Sequence, residues 1–235
     1  MNLINDCLSR ITDFFQSSYM GRENISSSDV VLYIAADEIN QQNSAIKRIF
    51  GNIQIEEESK LKLIFKVVKN IEEINQISKK LKDQNNRICG LFLYAHGSPY
   101  RINLSKTKYT PENSSHILKK NVKMLEPTFS RLEEQSSIVL LSCSTGKVKE
   151  GKTPIAETIS SIAKKTVFAP TDIAHDHATT LTLDKKTISA NFIGKFINPN
   201  PNSFFSWLTD FYNLFLFVYG AIGRDITARF DMEKA

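Results

Sequence analysis

Cysteine is scarce in this chain, and its distribution excludes two kinds of scaffold. The 235 residues contain three cysteines, Cys7, Cys89 and Cys143. Their number is odd, they lie far apart, and no C-x-x-C pair occurs. A disulfide framework and a structural zinc site are therefore not expected, and the pattern favours a reducing compartment.

The chain also lacks a strong excess of charge of one sign. Thirty Lys and Arg stand against 25 Asp and Glu, which gives a net charge of +5. The lysines are spread along the whole sequence, as expected of a solvated surface, so we expect no nucleic-acid partner.

Two further signals are missing. No Gly-rich loop follows the first apolar run, since Ala35 and Ala36 lead directly to Asp37, so dinucleotide and P-loop binding are disfavoured. The N-terminus (1–19) has no basic start followed by an apolar run, so no Sec signal peptide is predicted. We expect a cytoplasmic protein, or one secreted without such a signal.

Apolar runs alternate with amphipathic stretches and predict an α/β domain. Strands are expected at 30–36, 61–68, 88–95, 138–141 and 166–169, and helices at 38–50, 70–81, 110–132 and 153–165. Asn70 and Glu73 form a capping box at the start of the second helix. Residues 98–112 predict a loop or small hairpin, and 179–192 a hairpin or edge strands. The alternation predicts an open, mostly parallel sheet with helices on both faces.

Segments on either side of the α/β domain (29–197) have a different character. Residues 1–28 predict a helical lead-in, and 203–235 an apolar C-terminal helical segment. Polar residues at helical spacing interrupt the apolar run from Phe204 to Ile222. We therefore expect an amphipathic helix packed on the domain or on a partner, with membrane contact as the alternative.

Four polar positions lie at or just beyond the ends of predicted parallel strands, where ligands bind in such sheets. They are Asp37, the pair His96-Gly97, Cys143 and Asp172. A thiol beside an imidazole can be activated as a nucleophile, and the amides of Gly97 and Cys143 are candidates for an oxyanion hole. The alternative is that Cys143 is a small buried apolar residue and His96 only ends a strand.

Two strings resemble known blocks of a peptidase clan. The string from Gly90 to Gly97 (GLFLYAHG) resembles the histidine block of clan CD cysteine peptidases. The string from Ile138 to Gly146 (IVLLSCSTG) resembles their cysteine block, and the local match is nearest to CHAT-type caspase-like domains. The resemblance covers about residues 30–175 in strand order.

The resemblance implies a caspase-like fold and peptide-bond hydrolysis through an acyl-enzyme. Cys143 would be the nucleophile, His96 the general acid/base, and the amides of Gly97 and Cys143 the oxyanion hole. A protein or peptide would be the substrate, and neither a metal nor an organic cofactor would be needed. The Gln-Ala-Cys string of true caspases is absent, and Ser142 precedes the cysteine where metacaspase-like patterns often have Asp.

Substrate preference depends on charge at the strand ends. In the resembled fold these ends surround the S1 pocket, where Asp37 and Asp172 would favour Lys or Arg. The alternative is that Asp37 caps a helix and Asp172 starts a turn. The cluster His175-Asp176-His177 lacks a third or fourth metal ligand and is expected to be an exposed loop, with no metal bound.

Two other functions stay open at the level of sequence. One is a catalytically silent caspase-like module that binds protein partners. The other is an unrelated α/β binding domain in which the cysteine and the histidine are structural.

Overall fold

Six strands form the main sheet in the part of the chain that the structure describes. The structure, a computed structural model, describes residues 29–37, 53–55, 62–107, 110, 114–149, 151–172, 174–184, 187–194, 224–225 and 227–231. The strands of the main sheet, in spatial order, are β13 (Thr227–Phe230), β9 (Thr166–Pro170), β8 (Leu132–Leu141), β4 (Arg87–Tyr94), β1 (Asp29–Ala36) and β3 (Lys62–Val68). Five of them are parallel, and β13 pairs antiparallel with β9.

The central strands are apolar on both faces, which is why they were predictable as continuous runs. Leu32 and Leu91 point into one apolar cluster, and their chain neighbours Tyr33 and Phe92 point into another. The first cluster includes residues of α1 (Ile71–Asp83), α2 (Glu126–Phe129) and α3 (Ile155–Ala163). All helices that lie in the described ranges thus share one face of the sheet.

The opposite face packs against a second sheet. Its strand order is β12 (Arg224–Asp225), β11 (Thr187–Gly194), β10 (Ala174–Asp184) and β2 (Ile53–Ile55). Ile188, Ala190 and Phe192 of β11 join the second apolar cluster. The prediction of helices on both faces is therefore wrong for the described part of the chain, because side chains of the strand β11 supply the apolar cover. The helix expected at 38–50 lies outside the described residues.

Local signals at the ends of α1 and α3 are confirmed. The Glu73 amide donates to Asn70 Oδ1 over 2.9 Å, as an N-cap requires. The Glu73 carboxylate accepts from the Lys69 main-chain amide and from Asn70 Nδ2, rather than from the Asn70 main-chain amide that a strict capping box would use. Pro154 occupies the N-cap position of α3, one residue earlier than predicted.

The helix expected over 110–132 is wrong. Its first part forms β7 (His116–Leu118), which pairs with a neighbouring strand. A 3-10 turn (Val122–Leu125) and the four-residue helix α2 follow, with Pro127 in the first turn of α2. Four of the residues with helical spacing, Val122, Leu125, Phe129 and Leu132, reach the same core from three different elements, whereas the core residue of β7 is Ile117 and not Leu118.

The C-terminal part of the chain also differs from expectation. Within the range 203–235, Thr227–Phe230 is a strand that completes the main sheet, so a helical segment is wrong there. The apolar run 204–222 and the lead-in 1–28 lie outside the described residues. Among the helices that the structure describes, none combines the length and the apolar character needed to span a bilayer.

Candidate functional site

The four polar positions predicted from sequence follow four adjacent parallel strands. Asp37 comes after β1, His96 after β4, Cys143 after β8, and Asp172 after β9. These strands are neighbours in the order β1, β4, β8, β9, and all run in the same direction. The four residues therefore lie along the carboxyl edge of one sheet, where ligands of open α/β sheets bind.

The register between β4 and β8 brings His96 and Cys143 to the same level. Tyr94 is the partner of Leu141, so each candidate residue lies two positions beyond that last pair. Past this pair, the Ala95 amide donates to the Leu141 carbonyl over 3.4 Å. The buried Ser142 hydroxyl donates back to the Leu93 carbonyl over 3.4 Å. The first residues beyond both strands are thus tied together.

Cys143 begins a tight turn that is anchored on β9. The Ser144 amide donates to the Asp172 carbonyl, and the Gly146 amide donates to the Pro170 carbonyl, each over 2.9 Å. Inside the turn, the buried Thr145 hydroxyl donates to the Ser142 carbonyl over 2.8 Å. Ser144 has a φ of +58°, a left-handed conformation that is uncommon for a residue other than glycine. The hydrogen bonds on both sides of Ser144 hold this conformation.

Gly97 lies directly against this turn. A Cβ atom added to Gly97 would be 2.8 Å from Ser142 Cβ, 2.8 Å from Thr145 Cγ2 and 3.0 Å from the Cys143 carbonyl oxygen. Such distances leave no room for a side chain. The His-Gly pair therefore carries a glycine because the main chain next to the histidine lies against the Ser142 and Thr145 side chains and the Cys143 carbonyl.

A small antiparallel sheet presents His96. It contains β5 (His96–Ser98), β6 (Arg101–Asn103) and β7. Ile102 and Ile117 on one face are buried in the main core. His96 pairs with Asn103 on the other face, and the His96 side chain is exposed. The polar stretch after β4 thus forms the small hairpin that the sequence predicted, extended by the third strand β7.

The start of α3 joins the two loops. The Ile155 amide donates to the Pro99 carbonyl over 2.7 Å, and the Ala156 amide donates to the Thr145 carbonyl over 3.2 Å. Two of the amides that a helix N-terminus offers to ligands are therefore occupied by main-chain carbonyls. This end of α3 contributes rigidity to the site.

Asp37 and Asp172 lie on opposite sides of the His96 and Cys143 pair. The Asp37 amide donates to the Leu104 carbonyl over 3.1 Å, and both carboxylate residues are half-buried. The strands that precede them are separated by β4 and β8, that is by three strand spacings or about 14 Å. Asp172 is the nearer to Cys143, because its carbonyl bonds the residue next to Cys143.

Cys143 and Cys89 have contrasting environments. Cys143 is half-buried at the edge of the sheet, whereas Cys89 is buried within β4. Burial, followed by the nearby Asp29 carboxylate, raises the pKa of Cys89 to about 11. Reactive thiols are partly exposed and inert ones are buried in apolar surroundings, so we expect Cys89 to be inert. Cys7 lies outside the described residues.

His175, Asp176 and His177 belong to β10, so the expectation of a loop there is wrong. The chain continues almost directly from β9 into a long strand paired with β11. Among the described side chains, no group of three or more His, Cys, Asp and Glu could hold a metal ion.

Sequence reasoning missed Asn103 and the structural role of Thr145. Both residues lie in polar stretches, and their importance depends on contacts that only the fold creates. For Asn103 the available signal was the alternation of Arg101, Ile102 and Asn103, which marks a short strand with Asn103 on its polar face.

The fold and the candidate site together define a class of protein. It is an α/β domain with a mixed six-stranded sheet, which brings a half-buried cysteine and an exposed histidine to one edge. The family model for a domain of unknown function, DUF4347, matches residues 51–189, more than half of the chain. The chain belongs to this family. The match spans His96, Cys143 and Asp172, while Asp37 lies before it. A comparison with curated proteins finds no match to the chain.

Proposed function

We propose that the protein is a caspase-like cysteine endopeptidase in which Cys143 is the nucleophile and His96 the general acid/base. The observation that carries the proposal is the contact between Gly97 and the turn 142–145. It brings the residue after the histidine to van der Waals distance from the residues on either side of the cysteine.

The chemistry of such a pair is peptide-bond hydrolysis in two steps. The Cys143 thiol gives its proton to the His96 imidazole, and the thiolate attacks the substrate carbonyl carbon. The C–N bond breaks as the imidazolium returns the proton to the leaving amine, which leaves a thioester. Water then gives a proton to His96 and attacks the thioester, so that a carboxylic acid and the free thiol form.

Stabilisation of the oxyanion is assigned to the amides of Gly97 and Cys143. The absence of a side chain on Gly97 lets the segment that carries one of these amides pack against the turn that carries the other. The turn that contains Cys143 is tied to β9 by two hydrogen bonds, so its amides keep their orientation. Donors that are already oriented stabilise developing charge without reorganisation during the reaction.

The caspase-like fold is part of the proposal. Its support is the order of the sheet, in which β1 lies between β3 and β4, and the chain then proceeds outward through β8 and β9. This order places the reversal of direction between β1 and β4, next to the candidate site. Of the two carboxylates considered for the S1 pocket, Asp172 is the better candidate for pairing with a substrate Lys or Arg.

The reactivity of the three cysteines tests the proposed pair. Wild type, His96→Ala and the matched histidine variant His116→Gln are treated with iodoacetamide at neutral pH, and the modified cysteines are mapped by mass spectrometry. We expect Cys143 to react fastest in wild type and in His116→Gln. Loss of His96 is expected to slow Cys143 about a hundredfold, the order of magnitude of general-base assistance.

Equally slow reaction of Cys143 and Cys89 in the folded protein would contradict the pair. It would favour the partner-binding module instead. Peptidase activity itself is measured with a peptide library that varies the residue before the scissile bond, with Cys143→Ala as the inactive control. Cleavage after Lys or Arg that is lost in Asp172→Ala but kept in Asp37→Ala is the result expected.

A further inference from the structure

Asn103 lies where it can position the imidazole of His96. The two residues are direct cross-strand partners in the antiparallel pair β5–β6. Partners of this kind have Cβ atoms about 5 Å apart and point to the same face of the sheet. The intervening residues Gly97 and Ile102 point the other way, toward the cysteine turn and the core.

The amide oxygen of Asn103 is buried and accepts no hydrogen bond within the part of the chain that the structure describes. A buried acceptor without a donor costs folding free energy, so such groups in native proteins call for an explanation. The backbone around Asn103 is well fixed, since the next residue, Leu104, bonds Ser115 through its amide and Asp37 through its carbonyl. The unused acceptor therefore stands on a rigid support beside His96.

We infer that Asn103 is a positioning residue whose Oδ1 atom accepts a hydrogen bond from Nδ1–H of His96 when substrate occupies the site. This inference rests on the proposed function. The bond would fix the tautomer in which Nε2 carries no proton and is available to the Cys143 thiol. Hydrogen bonds of this kind are often loose in a free enzyme and tighten in the complex.

The experiment measures the tautomer of His96 and the reactivity of Cys143 separately. Long-range ¹H–¹⁵N NMR of histidine-labelled protein reports which ring nitrogen of His96 carries the proton, and the His96→Gln spectrum assigns the signal. In the Cys143→Ala variant a peptide from the library is not cleaved, so the spectrum can be recorded with the peptide bound. Asn103→Leu removes the acceptor at similar volume, Asn103→Asp keeps an acceptor oxygen, and Ser98→Ala changes the next residue on the same face of β5.

We expect the Nδ1–H form to dominate in wild type, Ser98→Ala and Asn103→Asp, and the Nε2–H form to dominate in Asn103→Leu. Without the Cys143→Ala change, cleavage of the same peptide is expected to slow ten- to a hundredfold in Asn103→Leu, roughly the effect of a misplaced reacting group. Asn103→Ala gives a second test should the Leu variant not fold.

The outcomes separate this inference from the proposed function. An unchanged His96 tautomer in Asn103→Leu and Asn103→Ala overturns the positioning role, even where His96→Ala still slows Cys143. A tautomer that changes as expected supports the positioning role. If Cys143 alkylation at the same time proves independent of His96, the peptidase mechanism fails while the hydrogen bond stands.

Discussion

At the scale of single residues, Gly97 is the position on which the site depends most. A side chain cannot be added at Gly97 without displacing its neighbours. Three atoms of the turn 142–145 would lie 2.8 to 3.0 Å from the added Cβ, which is closer than van der Waals contact. The constraint is steric, and it acts on the turn that carries Cys143. A change at Gly97 therefore tests whether the geometry of this turn determines the reactivity of the Cys143 thiol.

Gly97→Ala is expected to displace the turn and to lower the free energy of unfolding by about 1–3 kcal/mol, the usual cost of overpacking. The alkylation rate of Cys143 should change with it. Gly151→Ala is the matched control, since a Cβ there meets nothing within 4 Å and carries only the strain of a φ of +68°. Chemical denaturation and mapped alkylation measure the two effects, and a Gly97→Ala protein with wild-type values in both would refute the contact.

The pKa of Cys89 predicts how the free energy of unfolding depends on pH. Its pKa is raised from 9.0 to about 11 in the folded protein, so the unfolded chain loses the thiol proton at lower pH than the folded chain does. Between pH 9 and pH 11 the unfolded state binds fewer protons, and the free energy of unfolding falls by about 1–2 kcal/mol from this group.

Cys89→Ala removes this contribution, so the difference in stability between wild type and variant should shrink as the pH rises from 9 to 11. Urea denaturation at several pH values measures it. The Lys and Tyr groups that titrate in the same range are common to both proteins and cancel in the comparison. A difference that is constant with pH would show that the folded and unfolded thiols have the same pKa.

His96, Cys143, Asp37 and Asp172 could be found from the sequence because each lies within three residues of the end of an apolar run, and such runs mark buried parallel strands. Asn103 could not be found in the same way. Its relation to His96 is created by the hairpin β5–β6, and the burial of its oxygen depends on residues that are distant in sequence.

At the scale of elements, the N-cap of α1 is a local signal with a measurable energy. Asn70→Ala removes the acceptor of the Glu73 amide and is expected to lower the free energy of unfolding by about 1 kcal/mol. Gln76→Ala, an exposed position of the same helix, should change it by no more than about 0.5 kcal/mol. Equal effects of the two variants in thermal or chemical denaturation would contradict the capping role.

Elements that contact distant parts of the chain were harder to predict than α1. Leu118, Val122 and Phe129 have helical spacing, yet only Glu126–Phe129 is α-helical among residues 114–130. The pairing of β7 with β6 decides the conformation of Leu118, and this pairing has no signature in the local sequence. The strand Thr227–Phe230 was missed for the same reason, because its partner β9 lies far away in sequence.

At the scale of the whole molecule, the packing of the second sheet on the main sheet can be tested through Gly90. A Cβ added to Gly90 of β4 would overlap Cδ1 of Ile188 on β11. Since this atom is the end of a flexible side chain, Gly90→Ala should fold with a loss of about 1–2 kcal/mol. Ile188→Val removes the overlapping methyl group.

The double variant Gly90→Ala, Ile188→Val should therefore be more stable than the sum of the two single changes predicts. A double-mutant cycle from urea denaturation measures the coupling, which is expected at about 0.5–1 kcal/mol for residues in direct contact. Strict additivity would mean that β11 does not cover β4. Helices on this face were expected from the alternating pattern. The sequence of the covered strands shows only that their side chains are buried, and it does not show whether a helix or a strand covers them.

The contact of Gly146, just after the Cys143 turn, with the strand β13 has a consequence for synthesis on the ribosome. A Cβ at Gly146 would be 2.9 Å from the Cβ of Ala228, so the turn is enclosed by β13 as well as by β9. Ala228 is translated 85 residues after Cys143, a delay of about 4–17 s at ordinary elongation rates. During that interval the nascent chain carries its candidate nucleophile without the strand that completes its surroundings.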